Sequence, residues 1–165
     1  MYPVTNRLSE RLSQAHYRIR TGGQLNAAPV QFVASKTKLI PVGLGILSTH
    51  IVVSEKDKAS VSDEQDLFRK GFKLAKKINR TPLLRGMQFG YAILPLILGK
   101  DPDSELLSYA SSHMKPRWAL VEFPIVVDLT SNQVAFYRGT EFAGSAIRSI
   151  LQGIIIQHIE PLLDP

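Results

Sequence analysis

The spacing of apolar positions changes several times along the chain, and each change predicts an element. Over residues 5–20, Leu8, Leu12, Ala15 and Ile19 recur at helical spacing. Thr5 or Asn6 can cap that helix, and the paired glycines Gly22 and Gly23 end it. Residues 28–56 read as two or three strands: Val30 and Phe32 alternate with polar neighbours, and residues 46–53 are rich in β-branched side chains.

Ser62 to Arg80 has the pattern of a long amphipathic helix. Ser62 and Gln65 are spaced as a capping box, and Asp63, Glu64 and Asp66 face the positive end of the dipole. Leu67, Gly71, Leu74, Ala75 and Ile78 form its buried stripe. Residues 82–98 fit a helix or a strand. Gly86, Gly90 and Pro95 penalise the helix, so a buried strand over about Gln88 to Leu98 is expected. A short helix follows, capped by Asp101, with Pro102 in its first turn and Leu106, Leu107 and Ala110 on its apolar face.

Residues 117–139 predict a hairpin turning at Ser131-Asn132, which sets Leu129 opposite Val134, Val127 opposite Phe136 and Ile125 opposite Arg138. Alternation then places Ala119, Val121, Phe123, Ile125, Val127 and Leu129 on one core face. Trp118, Leu120, Glu122, Pro124, Val126 and Asp128 share a partly wet second face. A final helix over Phe142 to Ile159, stopped by Pro161, is apolar most of the way round. Its small residues Ser145, Ser149 and Gly153 suit close packing, and its outer side is either core or a subunit interface.

The element order predicts a single α+β domain over residues 1–165: a mixed or mainly antiparallel sheet with helices packed on one face, and a C-terminal hairpin followed by an apolar helix. Residues 1–22 are a candidate basic helical arm.

Composition narrows the class. The 165 residues are 44% hydrophobic and 21% charged, which suits one globular domain with a real core. The absence of cysteine removes disulfides and thiolate chemistry. The longest charge-free apolar stretches, 39–54, 86–99 and 149–159, fall short of the ~18–20 residues a membrane span needs. No apolar leader opens the chain, so a soluble cytoplasmic protein is expected. The net charge of +6 is concentrated early: residues 1–40 hold Arg7, Arg11, Arg18, Arg20, Lys36 and Lys38 against Glu10 alone. Such a segment favours anionic partners.

Candidate chemistry is sparse. Glu122 and Asp128 lie six residues apart on one strand face, roughly 20 Å at about 3.3 Å per residue. Paired catalytic carboxylates need roughly 5 to 9.5 Å, so these two are not each other's partner. Asp128 reads as a turn residue and Glu122 as an acid on the second face. His16, His50, His113 and His158 match no metal motif, and no metal or cofactor is expected. His50, in an apolar strand, is the histidine to follow. Residues 101–105 fail the calcium-loop pattern, with Leu106 and Ser112 where glycine and glutamate belong. No phosphate-binding glycine loop or nucleophile elbow is present. Arg69, Lys73, Lys76 and Arg80 form a basic stripe on the 62–80 helix, opposite its apolar side and without interleaved aromatics.

These features predict a non-enzymatic binding or interaction protein that self-associates as a homodimer or meets a protein partner. The first alternative is binding of nucleic acid or another polyanion through the basic helix face and the basic first segment. The second is an enzyme built around His50 or Glu122, which requires a cavity with a second polar group beside one of them.

Overall fold

The structure is a computed structural model and describes residues 2–21, 30–40, 45–78, 89–117, 119–140 and 145–163. Its element order is α1 (Pro3–Gln14), β1 (Arg18–Thr21), β2 (Val30–Ile40), β3 (Gly45–Glu55), α2 (Val61–Ile78), β4 (Phe89–Gly99), α3 (Ser104–Ser112), β5 (Lys115–Arg117), β6 (Leu120–Glu122), β7 (Ile125–Asp128), β8 (Gln133–Phe136) and α4 (Ser145–His158). The described strands make one mixed sheet. β1, β2 and β3 pair antiparallel; β3 pairs parallel with β4, and β4 pairs parallel with both β6 and β7. β5 and β8 are antiparallel edges on β6 and β7.

The expected α+β domain is present, but its helices cover both sheet faces. One core joins Leu8 and Leu12 of α1, Leu151 and Ile155 of α4, and the sheet residues Phe32, Ile51, Leu94 and Phe123. The other joins Leu67 and Ala75 of α2 and Leu106 and Ala110 of α3 to Val33, Val52, Ile93 and Val126. The second hairpin face is therefore dry: Glu122 is 5% and Val126 0% exposed.

The first helix ends earlier than its apolar spacing predicts. His16 takes φ 63, the left-handed position usually given to glycine. Its N–H donates to the Ser13 carbonyl and that of Tyr17 to the Leu12 carbonyl, the two bonds of a Schellman stop. The glycines at 22–23 are not needed, and Ile19 belongs to β1. The N-cap is Tyr2 rather than Thr5 or Asn6. Its N–H donates to Glu55 Oε1 at 2.7 Å, and the buried Thr5 hydroxyl donates to the same oxygen at 2.5 Å. Arg7 and Arg11 donate to the carbonyls of Leu162 and Gln157, tying α1 to the end of α4.

Two caps lie off their expected positions. α2 starts from Ser60, whose N–H and hydroxyl both meet Asp63 Oδ2 at 2.9 Å, so the capping box is Ser60/Asp63 and not Ser62/Gln65. α3 is capped by Asp103, which accepts from the Glu105 N–H, and not by Asp101. Gly71 lets α2 approach the sheet closely, since a Cβ there would lie 2.6 Å from Val52 Cγ2.

The long strand expected through residues 119–129 is broken between Glu122 and Ile125. Ile93 pairs with Glu122 and Leu96 with Ile125, so the same register sets Pro95 opposite Pro124. Neither proline has an N–H to give, and the ladder lapses where they meet. The hairpin register is also two residues from the expected one: Ile125 pairs with Phe136 and Asp128 with Gln133, around a four-residue turn with Asn132 at φ 53. A shift of two leaves every side chain on its expected face.

α4 buries Leu151, Ile154 and Ile155, Ile159 is buried just beyond it, and the helix's single certain charge, Arg148, is itself 8% exposed. The predicted residues Phe142 and Ala143 lie outside the described residues. A Cβ added at Gly153 would meet nothing within 4 Å among the described residues, so this position of the small-residue row is not a close helix contact.

Candidate functional site

In β1 the alternation Arg18-Ile19-Arg20-Thr21 sends both arginines to one face. Arg18 pairs with Ser35 and Arg20 with Val33; Ser35 pairs with His50 and Thr37 with Ser48. The ladder thus gathers two arginines, three hydroxyls and one imidazole on the α2 side of the sheet. They line a cleft of about 440 Å³, bordered by His16, Lys36 and the last residue of α2, Ile78.

Inside it, Ser35 Oγ lies 2.9 Å from His50 Nδ1, Ser48 Oγ lies 3.0 Å from His50 Nε2, and Thr37 Oγ1 lies 3.3 Å from Ser48 Oγ. His50 is 1% exposed. Burial, and then the nearby Arg20, push its pKa down to about 4. The imidazole is therefore neutral at pH 7, one ring nitrogen donating and the other accepting. That chain orients the hydroxyls without adding charge.

Charge comes from the arginines. Burial, followed by Arg18, lowers the pKa of Arg20. Arg20 Nη1 is shielded from solvent and has no hydrogen-bond acceptor among the described residues. No aspartate or glutamate lines the cleft among those residues. The sequences of 22–29 and 79–88, which follow β1 and α2, contain none either.

The other predicted positions are scattered. Arg69, Lys73 and Lys76 are exposed on α2, away from the cleft lining. Arg69 pairs with Asp66 at 3.0 Å, and Lys76 sits over the Phe72 ring. Arg80 lies outside the described residues. Asp128 holds the hairpin turn, accepting from Thr130 N–H at 2.9 Å and Ser131 Oγ at 2.7 Å. Glu122 accepts from the Tyr109 hydroxyl at 3.2 Å, beside His113 at 3.9 Å, beneath α3.

The sequence reading did not single out Arg18, Arg20 or Glu64 as site residues. For the arginines the period-two run at 18–21 was the available signal, hidden by the helical reading of 5–20. Glu64, expected to face the helix dipole, is 0% exposed, and neither carboxylate oxygen has a partner among the described residues. Burial, and then the charge of Glu122, push its pKa up to about 8. Its position three before Leu67 and seven before Gly71 puts it in the buried stripe.

Among the described residues no group of three or more His, Asp or Glu side chains is placed to hold a metal. No described helix is long and apolar enough to cross a membrane. Compared with known proteins, the chain matches no family model, no curated protein and no solved structure.

Proposed function

We propose that the protein binds an oxyanion, with phosphate as the leading chemistry, in the cleft between β1, β2, β3 and the end of α2. One observation carries this reading: the solvent-shielded Nη1 of Arg20 has no acceptor among the described residues, in a cleft lined by other donors and no acid. A buried donor left unpaired costs about 1–3 kcal/mol, and more when charged. A bound phosphate would meet the guanidinium fork with two acceptors. Arg18 and the hydroxyls of Ser35 and Thr37 supply further donors on the same face.

The enzyme reading has the cavity it required beside His50, but a histidine titrating near 4 is a weak general base, and no carboxylate among the described residues orients it. Self-association has less support. Leu39 and Ile156 are the exposed large hydrophobics among the described residues, and most of the apolar surface of α4 faces the core.

The test is thermal unfolding with increasing inorganic phosphate against sodium chloride at matched ionic strength. A ligand that binds only the folded state raises the midpoint by mass action. Phosphate is expected to raise it in the wild type and to leave Arg20→Gln unchanged. No phosphate-specific rise in the wild type overturns the proposal.

A further inference from the structure

A second basic cavity, about 240 Å³, lies on the opposite side of the same strands, between β2, β3 and α4. Its walls include Lys36, Lys38, Thr49, Tyr17 and His158, and again no aspartate or glutamate among the described residues. Alternation along β2 explains the pair: Ser35 and Thr37 face one cavity, Lys36 and Lys38 the other. Lys36 borders both. The β1 ladder stops at Ser35, so residues 36–40 of β2 have no further described strand outside them, and Lys36 Nζ donates to the Ala15 carbonyl at 2.7 Å there.

Among the described residues no carboxylate lines this cavity to offset its charge. Burial, then Arg11 and Lys36, lower the pKa of His158, just as Arg18 acts on Arg20 and Arg20 on His50. Three acids lie at the other end of the strands: Glu55 closes β3, Asp57 accepts from the Lys100 N–H beyond β4, and Asp128 closes β7; Glu160, just past His158, is paired with Arg138.

We infer that the ligand is a flexible chain of phosphates, a single-stranded nucleic acid or inorganic polyphosphate, that crosses the β2 edge with one phosphate at Arg20 and another at Lys36 and Lys38. This rests on the oxyanion reading of the Arg20 cleft and extends it. The shape of the surface selects the class. A monophosphate cannot occupy both cavities. A duplex, with a persistence length of about 50 nm, does not turn round the edge of one strand. A flat anionic membrane reaches one sheet face at a time. A single strand or a polyphosphate bends freely between phosphates.

The experiment is competition for a fluorescent oligo-thymidylate of about twelve nucleotides, a length within the range of single-strand sites, read by anisotropy at two salt concentrations. Competitors are inorganic phosphate, polyphosphate, the unlabelled oligomer, a duplex of equal length and vesicles containing phosphatidylserine. Direct phosphate binding is measured in parallel by thermal shift. Either flexible chain is expected to bind at least tenfold tighter than orthophosphate and more tightly than the duplex. The better of the two identifies the source. Lys38 is exposed, so Lys38→Ala leaves the core untouched. It should weaken the chain severalfold, flatten its salt dependence and leave orthophosphate binding unchanged, whereas Arg20→Gln should weaken both. Orthophosphate binding that needs Arg20, with no gain for either chain, overturns the edge-crossing ligand and leaves the oxyanion site standing. Duplex or vesicle binding as tight as the single strand overturns it too. No binding of any probe overturns both readings.

Discussion

His50 Nδ1 lies 2.9 Å from the hydroxyl of Ser35, the residue directly across the β2–β3 ladder. The contact holds a neutral imidazole in a buried, arginine-flanked position, and its pKa of about 4 has a testable sign. The unfolded chain takes this proton near 6.5, while the folded chain refuses it until about pH 4. His50 therefore contributes a loss of stability as pH falls from about 6.5 to about 4. Proton NMR should show His50 titrating near 4 without ligand. Bound phosphate, an anion beside the ring, should move that midpoint upward. A midpoint near 6.5 in the free protein would contradict the buried arrangement.

Arg20 should show a conflict between binding and stability. A buried Nη1 with no acceptor among the described residues would cost the unliganded fold about 1–3 kcal/mol. Arg20→Met keeps the packing of the stem and removes the buried donor. It is expected to unfold at the same or a higher temperature than wild type without phosphate, and to lose the phosphate-dependent rise. A large destabilisation of the unliganded variant would mean that Arg20 already has its partner.

Glu64 acts on stability from the alkaline side. Unfolded, its carboxyl loses its proton near 4.5; folded, burial and then Glu122 hold the proton until about pH 8. Stability is thus lost as pH rises from about 4.5 to about 8 and levels off above that. Glu64→Gln, always neutral and nearly the same shape, removes this dependence. The melting temperatures of variant and wild type should coincide near pH 4.5 and diverge by several degrees at pH 9, the variant being the more stable. A constant gap across that range would show that Glu64 is ionised in the fold throughout.

Two glycines inside helices should respond oppositely to the same change. At Gly71 a new methyl would press on Val52 and Ile93, so Gly71→Ala should cost about 1–3 kcal/mol through overpacking. At Gly153 the methyl would meet nothing within 4 Å, so Gly153→Ala should gain up to about 1 kcal/mol of helix propensity. Urea unfolding of both variants gives the signs directly. Destabilisation by Gly153→Ala would mean that something occupies the cavity beside α4.

Much of the fold was legible locally. The strand through residues 88–98 and the α2 helix follow from period and from glycine and proline placement, and the bounds that lie within the described residues, the start of α2 at Val61 and the end of β4 at Gly99, are each one residue from expectation. Caps were harder, because Ser60 competes with Ser62 and Asp103 with Asp101, and the choice depends on how the incoming chain is held. The end of α1 was missed because histidine occupies the glycine position of its Schellman stop.

The candidate site was legible only as separate parts. Taken alone, the sequence determined the element types, the apolar faces, the early excess of positive charge and the turn role of Asp128, since these depend on residues near one another in the chain. Tertiary structure alone decided that Arg20 and His50 share a cleft, that Glu122 lies beneath α3 and that Glu64 is buried with no partner among the described residues. Desolvation and Coulomb interaction depend on which distant groups fold against a side chain, and those neighbours come from strand pairing and layer packing rather than from adjacent residues.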